Sequence, residues 1–247
     1  MLYITTSWDD GDVLDVRLGE LLSQYGMRGT FYITKEYREH RLSEDHIRDL
    51  AKRHEVGAHT LTHPDLRRLS REQKKQEIAG SKEWLENVIE TEVAMFCYPS
   101  GFYDVQSGEV AREVGFCGAR TTEAGRTTLG TDLFAIPTTL QVYPMPFRKI
   151  DSHTYWWGKI FEPLRQRSSL LRALGLRWWD MRSFESAACA AFDIALKKGG
   201  VFHLWGHSWE IEKYGMWDEF ERVLRHITKH SGVQFVTNGE LLKISTH

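Results

Sequence analysis

The chain contains 247 residues, of which 41% are hydrophobic and 27% are charged, and this composition excludes disordered and collagen-like proteins. The 32 Lys and Arg residues nearly balance the 34 Asp and Glu residues, and the net charge of -2 gives no general attraction to nucleic acid, so we expect no nucleic-acid partner. No linker rich in Pro, Gly or Ser divides the sequence, which predicts a single domain over residues 1–247.

Short apolar runs alternate with longer segments of helical periodicity, the pattern of a parallel sheet built from βα units. The predicted strands are Leu2–Ser7, Gly29–Ile33, Glu55–Ala58, Ala94–Tyr98, Cys117–Thr121, Ala135–Thr138, Gly200–Trp205 and Gln234–Thr237. The predicted helices are Val13–Tyr25, Ser43–Lys52, Ser70–Glu90, Val105–Val114, Ser183–Lys197, Trp217–His230 and Asn238–Lys243. This number of repeats favours the α/β class and a distorted, TIM-like (β/α) barrel of about seven strands. No G-x-G-x-x-G follows the first strand, which disfavours a Rossmann nucleotide site.

The N-terminal residues and the cysteines indicate the cellular compartment to expect for the protein. The N-terminal residues lack the basic and apolar segments of an export signal, so we expect a cytoplasmic protein. The longest uncharged stretch, residues 133–147, contains three prolines and is too short to span a bilayer. Cys97, Cys117 and Cys189 form an odd and widely spaced set, which predicts reduced, buried thiols rather than disulfides.

Two adjacent carboxylates, Asp9 and Asp10, stand just after the first predicted strand and precede Gly11. The pattern is typical of a turn that begins a helix, so by itself it is a weak indication of chemistry. In a (β/α) barrel, however, the residues that follow the strands build the active site. Both carboxylates are therefore candidates for function.

Three pairs of histidines are spaced four residues apart. His59 and His63 directly follow the third predicted strand, and on a helical turn two imidazoles at this spacing reach one metal ion. The pair lacks the Glu of H-E-x-x-H, so a third protein ligand must come from elsewhere, and Asp10 is the candidate.

The other two pairs are interpreted differently. His226 and His230 lie on a charged helix, which indicates a solvated face. His203 and His207 flank the end of an apolar strand, and only the carboxyl end of a barrel strand reaches the active-site mouth. We therefore assign chemistry to His207, which follows Gly206, and a packed, hydrogen-bonded position to His203. Direct participation of His203 is the alternative.

These segments resemble the polysaccharide deacetylases of carbohydrate esterase family 4, which share the NodB-homology domain. The similar segments are TSWDDG at 6–11, GMRGTFY at 26–32, HTLTHPDL at 59–66, YPSGFYD at 98–104 and WGH at 205–207. They follow the order of the family's motifs and cover most of the chain, and the first and third of these segments are together specific. The resemblance implies the same fold that the repeat pattern predicts.

The resemblance also implies a division of roles in the site. Three ligands would hold one divalent ion, with zinc expected ahead of other divalent ions: Asp10, His59 and His63. Asp9 would be the general base and His207 the general acid that protonates the leaving amine. The backbone N–H of Ser100 would donate to the oxyanion.

Two departures from the family pattern stand out. Cys97 occupies the position of an Arg that braces the base in the family, and a thiol carries no positive charge. Arg120, at the end of the next strand, is the nearest candidate to replace it, and a surface Arg is the alternative. The fourth motif of the family is not recognisable.

In its place stands a basic and aromatic insertion at about residues 147–182, with eight basic residues, three acidic residues and four tryptophans. Such a segment is compatible with peripheral contact to an anionic membrane or with binding a phosphate-bearing sugar carrier, but packing on the barrel is the interpretation we favour. Substrate contacts are expected from four residues near the predicted site: Trp8, Pro99, Trp205 and Trp209. For Trp8, core packing is an equal alternative.

The function expected from the sequence is metal-dependent deacetylation of an N-acetylated sugar. A cytoplasmic location favours a nucleotide-linked or lipid-linked intermediate of surface-polysaccharide biosynthesis as the substrate. Two alternatives stay open: hydrolysis of a small non-sugar amide or imide, and a catalytically silent carbohydrate-binding domain. The sequence does not indicate an oligomeric state.

Overall fold

The computed structural model describes residues 1–147 and 173–245. Within them, one sheet of eight strands contains only parallel pairs. The strands are β1 Leu2–Asp10, β2 Thr30–Ile33, β3 Glu55–Ala58, β4 Met95–Cys97, β5 Gly118–Arg120, β6 Leu140–Gln141, β7 Gly200–Gly206 and β8 Val233–Phe235. Their order is β5-β4-β3-β2-β1-β7-β6, with β8 paired to the start of β1. The sheet curls into a distorted (β/α) barrel, as the repeat pattern predicts.

The longest strand, β1, is the centre of this arrangement. Strand β7 runs along one side of it from Leu2 to Trp8. The other side is shared: β8 pairs with the first residues of β1, and β2 pairs with Ser7–Asp10. Nearly every residue of β1 is buried, as expected for a parallel strand covered on both faces. Asp9 and Asp10 therefore end a rigid strand in the middle of the sheet.

A short segment closes the barrel between β5 and β7. Ile136 forms a single parallel bridge to Arg120, and Leu140–Gln141 then pairs with β7. The predicted strand Ala135–Thr138 is therefore wrong in position. Pro137 has no N–H to donate to a ladder, and the N–H of Thr138 instead donates to the carbonyl of Glu123 at 2.7 Å, so regular pairing begins only after these residues.

Helices follow most of the strands. They are α1 Asp15–Gln24, α2 Glu44–Ala51, α3 Arg71–Ile89, α4 Val105–Glu113, α5 Phe184–Lys198, α6 Ser208–Tyr214, α7 Trp217–Thr228 and α8 Asn238–Ser245. Single 3-10 turns occur at Leu66–Arg68, Pro99–Gly101 and Trp178–Met181. The seven predicted helices are confirmed to within a few residues, whereas α6 is not among them. Across the described ranges, no helix combines the length and apolar character needed to cross a membrane.

The three cysteines are free thiols, as predicted, but only Cys97 is buried. Cys117 is exposed and Cys189 is partly exposed, so the expectation that all three are buried is wrong. Cys117 is the residue just before β5, at a point where the chain is still at the surface. Residues 148–172, which hold most of the basic and aromatic insertion, lie outside the described residues.

Candidate active site

The carboxyl ends of the strands surround a cavity of about 340 Å³. This is the edge of the barrel at which catalytic residues are expected. The cavity is lined by Asp9, Asp10, Tyr37, His59, His63, Ser100, Thr122, Gln141, Trp205, His207 and Trp209. Eight of the residues singled out from the sequence are among them. Residues from the carboxyl ends of β1 to β7, or from the segments that follow these strands, thus meet at one place.

Asp10 faces both histidines of the first pair. Its Oδ1 atom lies 3.8 Å from Nε2 of His59 and 3.7 Å from Nε2 of His63. These separations exceed the length of a hydrogen bond, and they leave room for an ion about 2.0 to 2.2 Å from each oxygen or nitrogen atom. Within the described part of the chain, Oδ1 is buried and has no hydrogen-bond partner. An orphaned carboxylate oxygen that faces two imidazole nitrogens is a donor set that fits a divalent cation.

Left-handed backbone brings these ligands together. Asp10, Thr60, His63 and Ser100 all have positive φ angles, of 84°, 67°, 58° and 54°. Residues other than Gly rarely adopt this conformation, and it concentrates at functional sites. The expectation that a helical turn aligns His59 with His63 is therefore wrong. A turn with two left-handed residues, Thr60 and His63, brings the two imidazoles together instead. The ring centroids of His59 and His63 lie 4.9 Å apart.

The ring of His59 is fixed from behind. Its Nδ1 lies 2.8 Å from the carbonyl oxygen of Cys97, so Nδ1 carries the proton and Nε2 presents a lone pair to Asp10. Burial lowers the pKa of His59 to about 4, against the opposing charges of Asp9 and Asp10. The imidazole is therefore neutral near pH 7, which is the form that binds metals.

Trp209 holds the other oxygen of Asp10. Its indole Nε1 donates to Oδ2 at 2.9 Å. The guanidinium of Arg38 lies over the Trp209 ring at 4.6 Å, and Arg38 is itself bound to Asp12 through a 3.0 Å hydrogen bond. Trp209 was expected to contact substrate, and the structure adds a second task, which is to orient the carboxylate of Asp10.

The carboxylate of Asp9 forms a buried ion pair with Arg120. The Arg120 side chain is fully buried, so it is not the surface residue that the alternative interpretation assumed. Burial raises the pKa of Asp9, but the positive charge of Arg120 and the nearby His59 and His207 outweigh it, and the net pKa is lowered. Cys97 lies 3.9 Å from the same carboxylate, and burial raises the pKa of its thiol, so it stays neutral.

His207 is paired with Glu210 one turn along the chain. Its Nδ1 lies 2.6 Å from Oε2 of Glu210, and its Nε2 lies 3.9 Å from Oδ2 of Asp10. Burial lowers the pKa of His207, but the hydrogen bond to Glu210 and the negative charges of Asp10, Glu210 and Asp9 outweigh it and raise the pKa to about 9. His207 is therefore protonated at neutral pH and aimed into the cavity.

His203 lies lower in the barrel and does not line the cavity. It is buried, and its Nε2 lies 2.8 Å from the hydroxyl of Ser7. Burial and the charge of Arg120 lower its pKa to about 3. The structure thus places His203 in the packed, hydrogen-bonded position expected from the sequence.

The turn after β4 brings Ser100 to the cavity wall. Gly101 follows it with a φ of 71°, and a Cβ atom there would overlap the side chain of Thr122, another residue of the wall. Glycine is thus required on both steric and backbone grounds. The turn is fixed against the β5 side of the barrel.

Two of the four residues expected to contact the substrate, Trp8 and Pro99, do not line the cavity. Trp8 is fully buried, packs edge-on against Phe220 at 5.2 Å and belongs to the core. Pro99 is also buried and begins the turn that contains Ser100. Trp205 lines the cavity.

Several residues of the site were not found from the sequence. Glu210 is the main one, and a signal existed in its spacing of three from His207, which becomes meaningful once α6 is recognised as a helix. Tyr37 is another, since it stacks on His63 with a centroid distance of 4.0 Å. Nothing in the pattern around Tyr37, in the loop after β2, indicates this contact.

The first half of the chain is similar in sequence to known proteins. Residues 2–119 match the sequence profile of the polysaccharide deacetylase family. A Bacillus subtilis protein, YxkH, which is named after polysaccharide deacetylases, is 29% identical over 119 residues. That match covers 47% of this chain and 43% of the relative, so the chain spans less than half of the length of the curated relative that it matches.

Solved structures share the fold over nearly the whole chain. A Mycobacterium smegmatis protein described as a polysaccharide deacetylase is 14% identical with a TM-score of 0.68, over 98% of this chain and 89% of that protein. A family 4 acetyl xylan esterase from Clostridium thermocellum, solved with a cobalt ion, is 16% identical with a TM-score of 0.59, over 99% and 92% of the two chains. The sequence similarity to the polysaccharide deacetylase family thus lies in residues 2–119, which carry the aspartate pair, the histidine pair and the turn at Ser100.

Proposed function

We propose that this protein is a metal-dependent hydrolase that removes the acetyl group from an N-acetylated sugar. One observation carries the proposal: Asp9, held by Arg120, and His207, held by Glu210, line the same cavity as a cation-binding donor set. Hydrolysis of an amide needs a proton acceptor, a proton donor and a site that polarises the carbonyl, all within reach of one carbon atom. The similarity of residues 2–119 to polysaccharide deacetylases supports sugar deacetylation as the reaction class.

Asp10, His59 and His63 would hold the ion, and we expect zinc ahead of other divalent ions. One carboxylate and two neutral imidazoles suit zinc in catalytic sites, where other positions are left for water and substrate. When bound, such an ion polarises the amide carbonyl and lowers the pKa of water. The Clostridium thermocellum esterase with the same fold was solved with cobalt, which supports a site that accepts several divalent ions.

Asp9 accepts the proton of the attacking water in this proposal. Its carboxylate must be ionised for this task, and the ion pair with Arg120 keeps the pKa of Asp9 low in spite of complete burial. Arg120 also fixes the direction in which the carboxylate points. Arg120 thus supplies from β5 the charge that Cys97 lacks.

His207 donates a proton to the nitrogen of the departing amine. With a pKa of about 9 it holds this proton at neutral pH, and Glu210 keeps its Nδ1 occupied so that Nε2 faces the cavity. The backbone N–H of Ser100 is assigned to the negatively charged oxygen that develops on the acetyl group. In this proposal Asp9 thus accepts a proton from water, and His207 donates a proton to the departing amine.

The cavity has the volume of a small-ligand site, about 340 Å³, and its aromatic wall includes Trp205, Trp209 and Tyr37. A single N-acetylated sugar ring fits this description. We propose a nucleotide-linked or lipid-linked N-acetylated sugar as the substrate.

Metal analysis combined with an acetate-release assay tests the proposal. The purified protein is offered N-acetylglucosamine oligomers, a nucleotide-linked N-acetyl sugar, a lipid-linked one and a small non-sugar amide. We expect bound metal and acetate release from a sugar. Asp9→Asn retains the metal and lowers turnover by about two orders of magnitude or more, whereas His59→Ala loses most of the metal.

Asp45→Asn is the matched control, because Asp45 is an exposed carboxylate on α2 and should leave both readouts unchanged. Turnover of the small amide alone would replace the sugar in the proposal. Sugar binding without acetate release, in protein that contains metal, would favour a silent carbohydrate-binding domain. Full metal content in His59→Ala would overturn the ligand assignment.

A further inference from the structure

We propose a second cation site, for a transition metal, between α5 and the end of α7. Three side chains form it: Asp193 of α5, His226 of α7 and His230 just beyond α7. One ligand atom from each lies within 4.8 Å of the other two. None of the three lines the active-site cavity, so the cluster is separate from the candidate active site.

The donors are already held near one another. Nε2 of His226 lies 2.8 Å from Oδ1 of Asp193, a spacing that a metal ion would widen by only a few tenths of an ångström. Phe192 contacts both imidazoles, with centroid distances of 5.6 Å to His226 and 5.3 Å to His230. The two imidazole centroids lie 5.2 Å apart. The face that the sequence predicts to be solvated is thus a partly exposed cluster of side chains between two helices.

The donor set selects the class of ion. Two imidazoles and one carboxylate suit zinc, nickel and copper, whereas magnesium and calcium prefer sites made only of oxygen atoms. Copper(II) should bind most tightly in the usual order of affinities. The side chains of His226 and Asp193 are 33% and 48% exposed, so water can complete the coordination and the ion can exchange with solution.

A bound ion would connect two helices that are distant in sequence. Because the three donors come together only in the folded chain, binding stabilises the fold in proportion to the logarithm of ion concentration over dissociation constant. The melting temperature should therefore rise with added copper(II) or nickel(II) and stay unchanged with magnesium.

The test removes the candidate active site first. In a His59→Ala, His63→Ala variant, calorimetric titration with copper(II) and with nickel(II) at about pH 7.5, where imidazole is mostly neutral, should give one ion per chain. Adding His226→Ala should abolish this binding, and adding His46→Ala, a partly exposed histidine of α2, should not. The copper spectrum in paramagnetic resonance should show two nitrogen ligands before His226→Ala is added.

His230→Ala repeats the test at a position beyond the end of α7, so loss of binding there cannot come from a broken helix. Circular dichroism of each variant verifies that it is folded. The site is disproved if the double variant binds no ion, or if adding His226→Ala or His230→Ala leaves stoichiometry and affinity unchanged. Both outcomes are independent of acetate release and of metal in the active site.

Discussion

The two carboxylates that end β1 differ in their surroundings although they are adjacent in sequence. Asp9 is paired with Arg120, whereas Asp10 directs an unpartnered oxygen toward two imidazoles. The left-handed backbone of Asp10, with a φ of 84°, breaks the alternation of the strand and lets both side chains reach the same cavity. Environment rather than residue type thus separates the proposed proton acceptor, Asp9, from the proposed cation ligand, Asp10.

Arg120→Met tests the ion pair with Asp9. The variant leaves a buried carboxylate without its cation, so the pKa of Asp9 should rise and the free energy of unfolding should fall by about 3 to 5 kcal/mol. Activity needs ionised Asp9, so the acidic limb of the pH profile of kcat/KM should move to higher pH. Urea unfolding and a pH series on the deacetylation substrate measure the two effects.

Arg112→Met is the control for Arg120→Met, because Arg112 forms a largely exposed ion pair with Asp132 and should change stability by less than about 1 kcal/mol. If Arg120→Met does not fold, Arg120→Lys retains the charge but loses the planar fork, and it should show a smaller shift in the same direction. An acidic limb that stays in place in a folded Arg120 variant would mean that Asp9 is not the base.

Glu210→Gln tests the partner of His207. Removing the negative charge should lower the pKa of His207 from about 9. The general acid works only when protonated, so activity is lost as pH rises through this pKa, and the basic limb of kcat/KM should move to lower pH. Metal content should not change, because Glu210 is not among the three predicted ligands.

Glu212→Gln, at a half-exposed glutamate on the same helix, should retain the basic limb of the wild type. If Glu210→Gln and Glu212→Gln give the same basic limb as the wild type, His207 does not depend on Glu210. A basic limb lost in His203→Ala but retained in His207→Ala would instead move the acid to the buried histidine.

Positions directly after strands were enough to find most of the candidate site from the sequence, since parallel strands deliver their carboxyl ends to one edge. Asp9, Asp10, His59 and His207 were found in this way. Their supporting partners were harder to find. The sequence indicated Arg120 only as the nearest residue that could replace the positive charge missing at Cys97. Its contact with Asp9 joins residues 111 positions apart in sequence, and no local pattern specifies such a contact.

Regular helices were predicted well because their signals are local. The apolar period, the capping residues and the flanking turns of α3 all lie within its own segment. Helix α6 was missed because its seven residues are too few for a period to be apparent, and it follows β7 with only His207 between them. Strand β6 was misplaced because its two residues gain their pairing from β7 across the barrel.

Ser70→Ala tests the capping box of α3. The Ser70 hydroxyl accepts from the N–H of Gln73, and the Gln73 side chain accepts from the N–H of Ser70. Loss of the hydroxyl leaves a helix N–H without its partner and should lower the free energy of unfolding by about 1 kcal/mol. Ser231→Ala, in an exposed turn, should change it by less than about 0.5 kcal/mol. Equal values in urea unfolding would mean that this cap contributes nothing.

Contacts between the helices and the sheet make stability depend on pH through His54. This buried residue follows α2, accepts the N–H of Gly29 at Nδ1 over 3.3 Å and lies 3.2 Å from the hydroxyl of Ser23 in α1. Gly19 of α1 has no side chain, so the helix can approach the His54 ring. One neutral imidazole thus joins two helices to the beginning of β2.

Burial lowers the pKa of His54 to about 4, from 6.5 in an unfolded chain. Between these values the unfolded chain binds a proton that the folded chain does not, so the contribution of His54 to the free energy of unfolding should be complete above about pH 6.5 and should fall as pH falls toward 4. His203, whose pKa is lowered to about 3, adds a slope of the same sign. His54→Gln should therefore lower stability at pH 7 and reduce the slope without abolishing it.

Urea unfolding at a series of pH values between about 7 and 4 measures this slope, with two-state behaviour verified by coincident fluorescence and circular dichroism. His40→Gln is the matched control, because His40 is exposed and should retain the slope of the wild type. If His54→Gln retains the full slope, the imidazole must already be protonated in the folded protein. That result is incompatible with Nδ1 accepting the N–H of Gly29, because a protonated ring has no lone pair at that atom.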